Sequence, residues 1–157
     1  MTPQQRYQQA HYKWQIEAHR EFYERSGCYK AVMPKLSSAN GLTKFIVNYI
    51  NWNGGNATRV SSAGRYIEDK NSLGQKIIGS GKFIPSATKR GTADITATIN
   101  GRSVKIEIKV GNDKPSEWQL KEQERERKAG GIYEFISTPE QFFLFYDKLV
   151  NNDNQTY

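Results

Sequence analysis

"GTADITATINGRSVKIEIK", residues 91–109, decides the fold: two short runs of alternating apolar and polar residues meet at Asn100-Gly101. A two-residue Asn-Gly loop favours a type I′ turn, because both positions accept positive φ, and such a turn sets the hairpin register. Ile99 then faces Arg102, and each step outward pairs positions of constant sum, so Asp94 falls opposite Glu107. Period-two alternation puts Ile95, Ala97, Ile99, Val104, Ile106, Ile108 and Val110 on a core face. Asp94, Thr96, Thr98, Lys105, Glu107 and Lys109 take the other face, expected to be open.

Directly opposed residues have Cβ atoms about 4.5–5.5 Å apart, where like charges repel. A divalent cation or a shared proton relieves such a pair, and two carboxylates at that spacing suit Mg²⁺, which keeps several of its waters. One such water can serve as the nucleophile on a phosphodiester, with Lys109 orienting it or neutralising developing charge. The plainer alternative is a solvated face on which Lys105 and Lys109 offset the acids.

Moving outward, Ser116 can cap a helix running to Ala129, Gly130-Gly131 ends it, and "IYEFI" at 132–136 reads as a strand. Thr138, Pro139 and Gln141 give the last helix a cap, a proline at its first position and a capping box. On the other side, Leu42, Phe45, Ile46, Tyr49 and Ile50 form a helical stripe suited to a sheet, followed by a short strand at 56–60. Residues 61–90 are basic and punctuated by glycine, with short strands expected at Gln75–Ile78 and Lys82–Ile84. A first helix over Pro3–Ser26, ended by Gly27, would bury Tyr7, Ala10, His11, Trp14, Ala18 and Phe22. Pro34 and "SSANG" make residues 29–41 a linker, so that this helix becomes an arm or a dimer element. The element order predicts an α/β fold, helices flanking a mixed central β-sheet, with an N-terminal helical extension and linker over 1–41 and a disordered tail over 151–157.

The chain's 157 residues suit one core. Lys plus Arg number 23 against 16 Asp plus Glu, a net +7 that favours a polyanionic partner as much as mere solubility. Cys28, the single cysteine, excludes an internal disulfide framework and a thiolate zinc cluster, and fits a reducing, cytoplasmic setting. "MTPQQRYQQAHYKWQ" has no apolar secretion core, and no stretch approaches the roughly 20 apolar residues that cross a bilayer. His11 and His19 are about 12 Å apart along a helix, too far to share a metal.

The words "KRGTADI" at 89–95, "IEIK" at 106–109, "SEWQ" at 116–119 and "AGGIY" at 129–133 resemble the PD-(D/E)XK nuclease superfamily, specifically its virus-type replication-repair (VRR-NUC) family. The resemblance runs over roughly residues 42–143 in element order and marks 42–150 as a nuclease domain with a restriction-endonuclease-like core. It implies that Asp94, Glu107 and the main-chain carbonyl of Ile108 bind metal, that Lys109 is the catalytic lysine, and that Gln119 stands near the site. Gln119 also fits a capping box with Ser116, a role compatible with the first. Gly91 reads as turn chemistry or as room for a phosphate. The family usually carries a glutamate early in the helix before the variable loop, whereas "SANGLTKFIVNYINWN" holds no carboxylate; one metal is therefore expected. Asn40 and Asn48 offer only neutral oxygens there.

The expected activity is that of a Mg²⁺-dependent endonuclease, with Mn²⁺ able to substitute, acting as a homodimer on DNA that is branched or duplex. Lys82, Lys89, Arg90 and Lys114 are the expected DNA contacts, with Tyr66 and Phe83 lending the variable loop aromatic character. Lys121 and Arg125 are further candidates, while Trp14, Trp52, Trp118 and the "FFLFY" run read as core or interface anchors rather than base-stacking platforms. The alternatives are a nucleic-acid-binding protein of the same fold with little or no cleavage, and an interaction module whose charge only confers solubility.

Overall fold

In the computed structural model, which describes residues 1–61, 64–84 and 88–151, Asn100 and Gly101 take φ of 50° and 72°, the positive pair that a type I′ turn requires. The elements in chain order are α1 (Pro3–Ser26), α2 (Ala39–Trp52), β1 (Asn56–Arg59), β2 (Arg65–Ile67), β3 (Lys82–Ile84), β4 (Ile95–Ile99), β5 (Arg102–Ile108), α3 (Glu117–Lys128), β6 (Ile132–Ile136) and α4 (Pro139–Asn151). The hairpin register is the one the turn dictates: Ile99 pairs with Arg102 and Ile95 with Ile106. The ladder stops there, one step short of Asp94 and Glu107.

The main sheet has the order β1-β4-β5-β6, antiparallel at its first two junctions and parallel between β5 and β6. A parallel pair needs a crossover, which α3 supplies. β2 and β3 form a separate antiparallel ribbon, with Tyr66 opposite Phe83. The strand expected at Gln75–Ile78 does not form; Lys76 makes one isolated bridge to Lys70, because Gly74 and Gly79 turn the chain on either side. Of the tail expected over 151–157, Asn151 closes α4, and residues 152–157 lie outside the described residues.

Helices α2 and α4 cover the apolar face of the sheet. The α2 stripe Leu42, Phe45, Ile46, Tyr49 and Ile50 is buried against Ile95, Ala97, Ile99, Val104, Ile106 and Ile108, joined by Phe142, Phe143 and Tyr146 of α4. Burying such side chains contributes about 1.5–3 kcal/mol each. The caps of α2 and α4 are short side-chain bonds: Ser38 Oγ accepts from Gly41 N–H at 3.1 Å, and Thr138 Oγ1 from Gln141 N–H at 3.2 Å. Gln141 Oε1 takes the N–H of Ser137 at 2.8 Å, so the expected box closes one residue upstream of the cap. Among the described residues no helix is long and apolar enough to cross a membrane.

The first helix lies on α2 and α4. Tyr7 is fully buried, stacked on Phe45 with ring centroids 4.6 Å apart, and Arg6 forks onto Asp147 of α4 at 2.8 and 2.6 Å. Its buried face keeps Tyr7, Ala10 and His11 of the expected stripe and then departs from it: Gln15 is buried, Ala18 is exposed, and His19, with φ of −143°, kinks the helix. The kink rotates the last turns, so Tyr23 is buried while Phe22 stays 62% exposed. The segment expected as a linker is held in place by two glutamines two turns apart. Gln8 exchanges a pair of 2.8 Å hydrogen bonds with the backbone of Ala31, and Gln15 likewise takes Tyr29 N–H on Oε1 and gives Nε2–H to Tyr29 O at 2.8 Å. These bonds orient the Gln15 amide, so the same Nε2, 3.0 Å from His11 Nδ1, must donate to it, and the neutral imidazole carries its proton on Nε2.

Burial holds the His11 pKa below its ordinary 6.5, so protonation is resisted in the folded state and accepted in the unfolded one. The stability due to neutral His11 is complete above that value and declines as pH falls below it. Wild type should therefore lose stability relative to a His11→Asn variant as pH falls from 7 to 5, read as the difference between their thermal melts. Gln15→Ala, which strands the Tyr29 backbone groups, should cost about 1–3 kcal/mol in denaturant unfolding.

Candidate functional site

The face of the sheet opposite the core carries the polar residues of β5, and α3 lies across it. Sequence periodicity leaves this face open, yet Glu107 is only 5% and Lys109 only 8% exposed. The correction has a physical reason: α3 is charged almost all round and buries none of its own residues, so no apolar stripe announces that it packs. It is held instead by polar links, Lys105 Nζ to Glu126 Oε2 at 2.6 Å, Gln123 Nε2 to Tyr133 O at 3.0 Å and Lys89 Nζ to Glu122 Oε2 at 2.7 Å.

Asp94, Glu107, Lys109 and Gln119 come together at the end of the hairpin. Asp94 stands just before β4, its carbonyl accepting from Val60 N–H at 2.8 Å and its side-chain Oδ2 accepting from Ile108 N–H at 3.0 Å. Glu107 Oε1 receives the Lys109 ammonium at 3.2 Å and the Gln119 amide N–H. Glu107 Oε2 is buried with no hydrogen-bond partner among the described residues. Ile108, the last residue of β5, lies in register with Ile136 of β6, between Glu107 and Lys109.

Gln119 closes the expected capping box and also reaches Glu107. Its Oε1 accepts from Ser116 N–H at 2.8 Å while Ser116 Oγ accepts from Gln119 N–H at 3.3 Å, the reciprocal capping box. With Oε1 committed to the cap, the amide NH₂ is turned to Glu107. The start of α3 is thus coupled to the acid through one side chain.

Burial, and then the nearby charge of Asp94, push the Glu107 carboxyl from its ordinary 4.5 up to about 7, against the opposing effect of Lys109. Burial pulls the Lys109 ammonium down, but hydrogen bonds and attraction from Asp113 and Glu107 outweigh it, and its pKa ends raised. Lys109 is therefore a cation and a donor, not a base. Tyr133, fully buried, has its phenol raised by burial and by the charges of Glu107, Asp94 and Glu122, and donates to Gly91 O at 3.1 Å.

A cleft of about 450 Å³ is lined by Lys89, Arg90, Gly91, Asp94, Glu107, Trp118 and Gln119 among others. Gly91, with φ of +83°, is needed for packing: a Cβ there would overlap the main-chain carbonyl of Trp118. The space that the sequence suggests for a phosphate is filled by the first turn of α3. Of the four cations expected to meet nucleic acid, Lys89 and Arg90 line the cleft, Lys114 is exposed in the segment before α3, and Lys82 sits on β3 and does not line it. Trp118, expected as a core or interface anchor, is not in the core: it is 52% exposed, as the second residue of a helix that buries nothing.

Asn40 and Asn48 do not join the site; Asn40 Oδ1 accepts from Arg59 at 2.6 Å and Asn48 Nδ2 donates to Tyr7 OH at 2.9 Å. Two partners escaped sequence reasoning. Asp113 meets Lys109 Nζ at 3.2 Å across the Gly111-Asn112 turn, a spacing that only the folded turn brings together. Tyr133 belongs to a quoted motif word, but nothing in its spacing places it beneath Gly91. No protein-family model matches the sequence, and no curated protein does.

A carboxyl whose folded pKa is raised destabilises the native state as pH rises from its unfolded value through its folded one. Without metal, the protein should lose up to about 3 kcal/mol between pH 4.5 and pH 7.5 through Glu107, seen as a falling Tm. Glu107→Gln, neutral at both ends and still able to accept from Lys109, should abolish that part of the slope. Gly91→Ala should lower stability by about 1–3 kcal/mol in denaturant melts.

Proposed function

We propose that the protein is a divalent-metal-dependent nuclease of PD-(D/E)XK architecture, resembling the VRR-NUC family, that hydrolyses DNA phosphodiester bonds. One observation carries this reading: a buried carboxylate oxygen with no partner among the described residues, Glu107 Oε2, on a residue that lines a cleft with Asp94, Lys89 and Arg90 and is backed by the cationic Lys109. Structural ion networks satisfy their acceptors; this one leaves an acceptor bare in the place where hard oxygen ligands would hold Mg²⁺ or Mn²⁺.

Asp94 and Glu107 fit such an ion through their side chains, and the Ile108 carbonyl is the third donor that the resemblance implies. When bound, the ion would supply an activated water and neutralise charge at the phosphoryl group. Each residue then has a separate task. Gln119 and Lys109 hold Glu107 by Oε1, which leaves Oε2 for the ion. The Ile108 N–H holds Asp94 by Oδ2. Lys109 sets a fixed positive charge beside the carboxylates, suited to stabilising the phosphoryl oxygens as negative charge builds on them. Below about pH 7 the Glu107 carboxyl retains its proton and competes with the ion for the same oxygen.

A second reading is favoured by a specific observation. Among the described residues no three His, Cys, Asp or Glu side chains gather as a metal site, and Asn40 and Asn48 are committed elsewhere. A nucleic-acid-binding protein of the same fold, with cleavage weak or lost, would show this donor set.

Asp94→Ala, Glu107→Ala and Lys109→Ala, assayed with Mg²⁺ or Mn²⁺ on linear, nicked and four-way-junction DNA, should each lower cleavage by at least ~100-fold. Undiminished cleavage in all three would sink the assignment. Salt-dependent binding by a wild-type protein that cuts none of these substrates would favour the second reading. The same reading takes the active species as a homodimer, and sedimentation at a monomer's mass under cleaving conditions would remove that element.

A further inference from the structure

Trp118 stands at the rim of the cleft, outside the chemistry assigned to it. It is 52% exposed, and its neighbour Gln119 is the residue that touches Glu107. Two cations flank the indole: the Arg90 guanidinium lies 5.7 Å from the ring centroid and the Lys121 ammonium 5.3 Å. With both cations over the ring the residue still keeps 52% of its surface in water. The position of the indole is set by backbone, since the Trp118 carbonyl packs on Gly91, whose own carbonyl is held by Tyr133.

An exposed indole framed by positive charge complements one chemical unit well, a flat nucleobase attached to a phosphate. Base stacking on an aromatic ring works for every base, because each has a π-face, and an adjacent guanidinium can add a cation–π contact. Inside a paired duplex both faces of a base are covered by its neighbours. A base can reach Trp118 only where pairing or stacking is broken. We propose that Trp118, with Arg90 beside it, is a stacking platform for an unpaired base, so that the nucleic acid this cleft selects carries an unstacked nucleotide next to the phosphate to be cut. The proposal rests on the reading that the cleft holds nucleic acid, and it names the residue that would hold an unstacked base there.

The test separates binding from cleavage. In EDTA, the full-length chain is titrated with a duplex carrying one unpaired 2-aminopurine and with the fully paired duplex of the same sequence. Wild type should prefer the unpaired probe and change its fluorescence. Trp118→Ala should weaken binding of that probe by ~5- to 150-fold with little effect on the paired one, while Trp118→Phe keeps most of the preference. Because the ring is exposed, both variants should melt as wild type does, and circular dichroism checks this. Trp118→Ala retaining the wild-type preference, or wild type binding neither probe, overturns the proposal. Trp118-dependent preference in a protein that cuts nothing with Mg²⁺ or Mn²⁺ upholds the platform while removing the nuclease reading. Equal cleavage of paired and unpaired substrates, unchanged by Trp118→Ala, removes the platform and leaves the nuclease.

Discussion

Glu107 is a carboxylate placed under a helix with one oxygen held twice and the other not at all, and the surrounding structure is organised by that imbalance. Lys109 and Gln119 both act on Oε1. Burial and the charge of Asp94 raise the cost of ionisation, so that the group titrates near neutrality. A buried acid of this kind is stable only as part of a constellation: Asp113 keeps Lys109 charged, and the Ile108 amide keeps Asp94 in place. The destabilisation is confined to the hairpin end, while the apolar face of the same strands supplies the core.

The two faces of the sheet follow different physics. On one, α2 and α4 meet the strands through Leu, Ile and Phe side chains, a non-directional contact whose strength scales with area. On the other, α3 is attached by Gln123, Glu126 and Glu122 to partners on β5, β6 and the loop before β4. Directional bonds place a helix more exactingly than apolar contact does, and here they bring the first turn of α3 against Gly91 and Gln119 against Glu107. The cleft is the gap left between that turn and the hairpin end.

Much of this was legible in the chain itself. Asn100-Gly101 dictated the turn, the turn dictated the pairing, and Ser116-x-x-Gln119 marked the start of α3, because each depends on residues close in sequence. The α2 stripe was equally plain, since Leu42, Phe45, Ile46, Tyr49 and Ile50 follow the helical period without interruption. Where local signals conflicted or were missing, expectation failed. Phe22 and Tyr23 are adjacent aromatics, and only the kink at His19 chose between them. Residues 29–31 carry linker letters, yet Gln8 and Gln15 fasten them, a contact between polar groups that leaves no periodic trace.

By itself, then, the sequence determined that Asp94, Glu107 and Lys109 share one end of one ribbon, because strand alternation and a two-residue turn leave no other register. Tertiary structure alone decided that this end is buried, that Glu107 Oε2 lacks a partner among the described residues and that Trp118 stays in water. The reason is the character of α3. A helix without an apolar face carries no record in its own residues of which surface it will cover, and that choice is made by hydrogen bonds and ion pairs to groups distant in the chain.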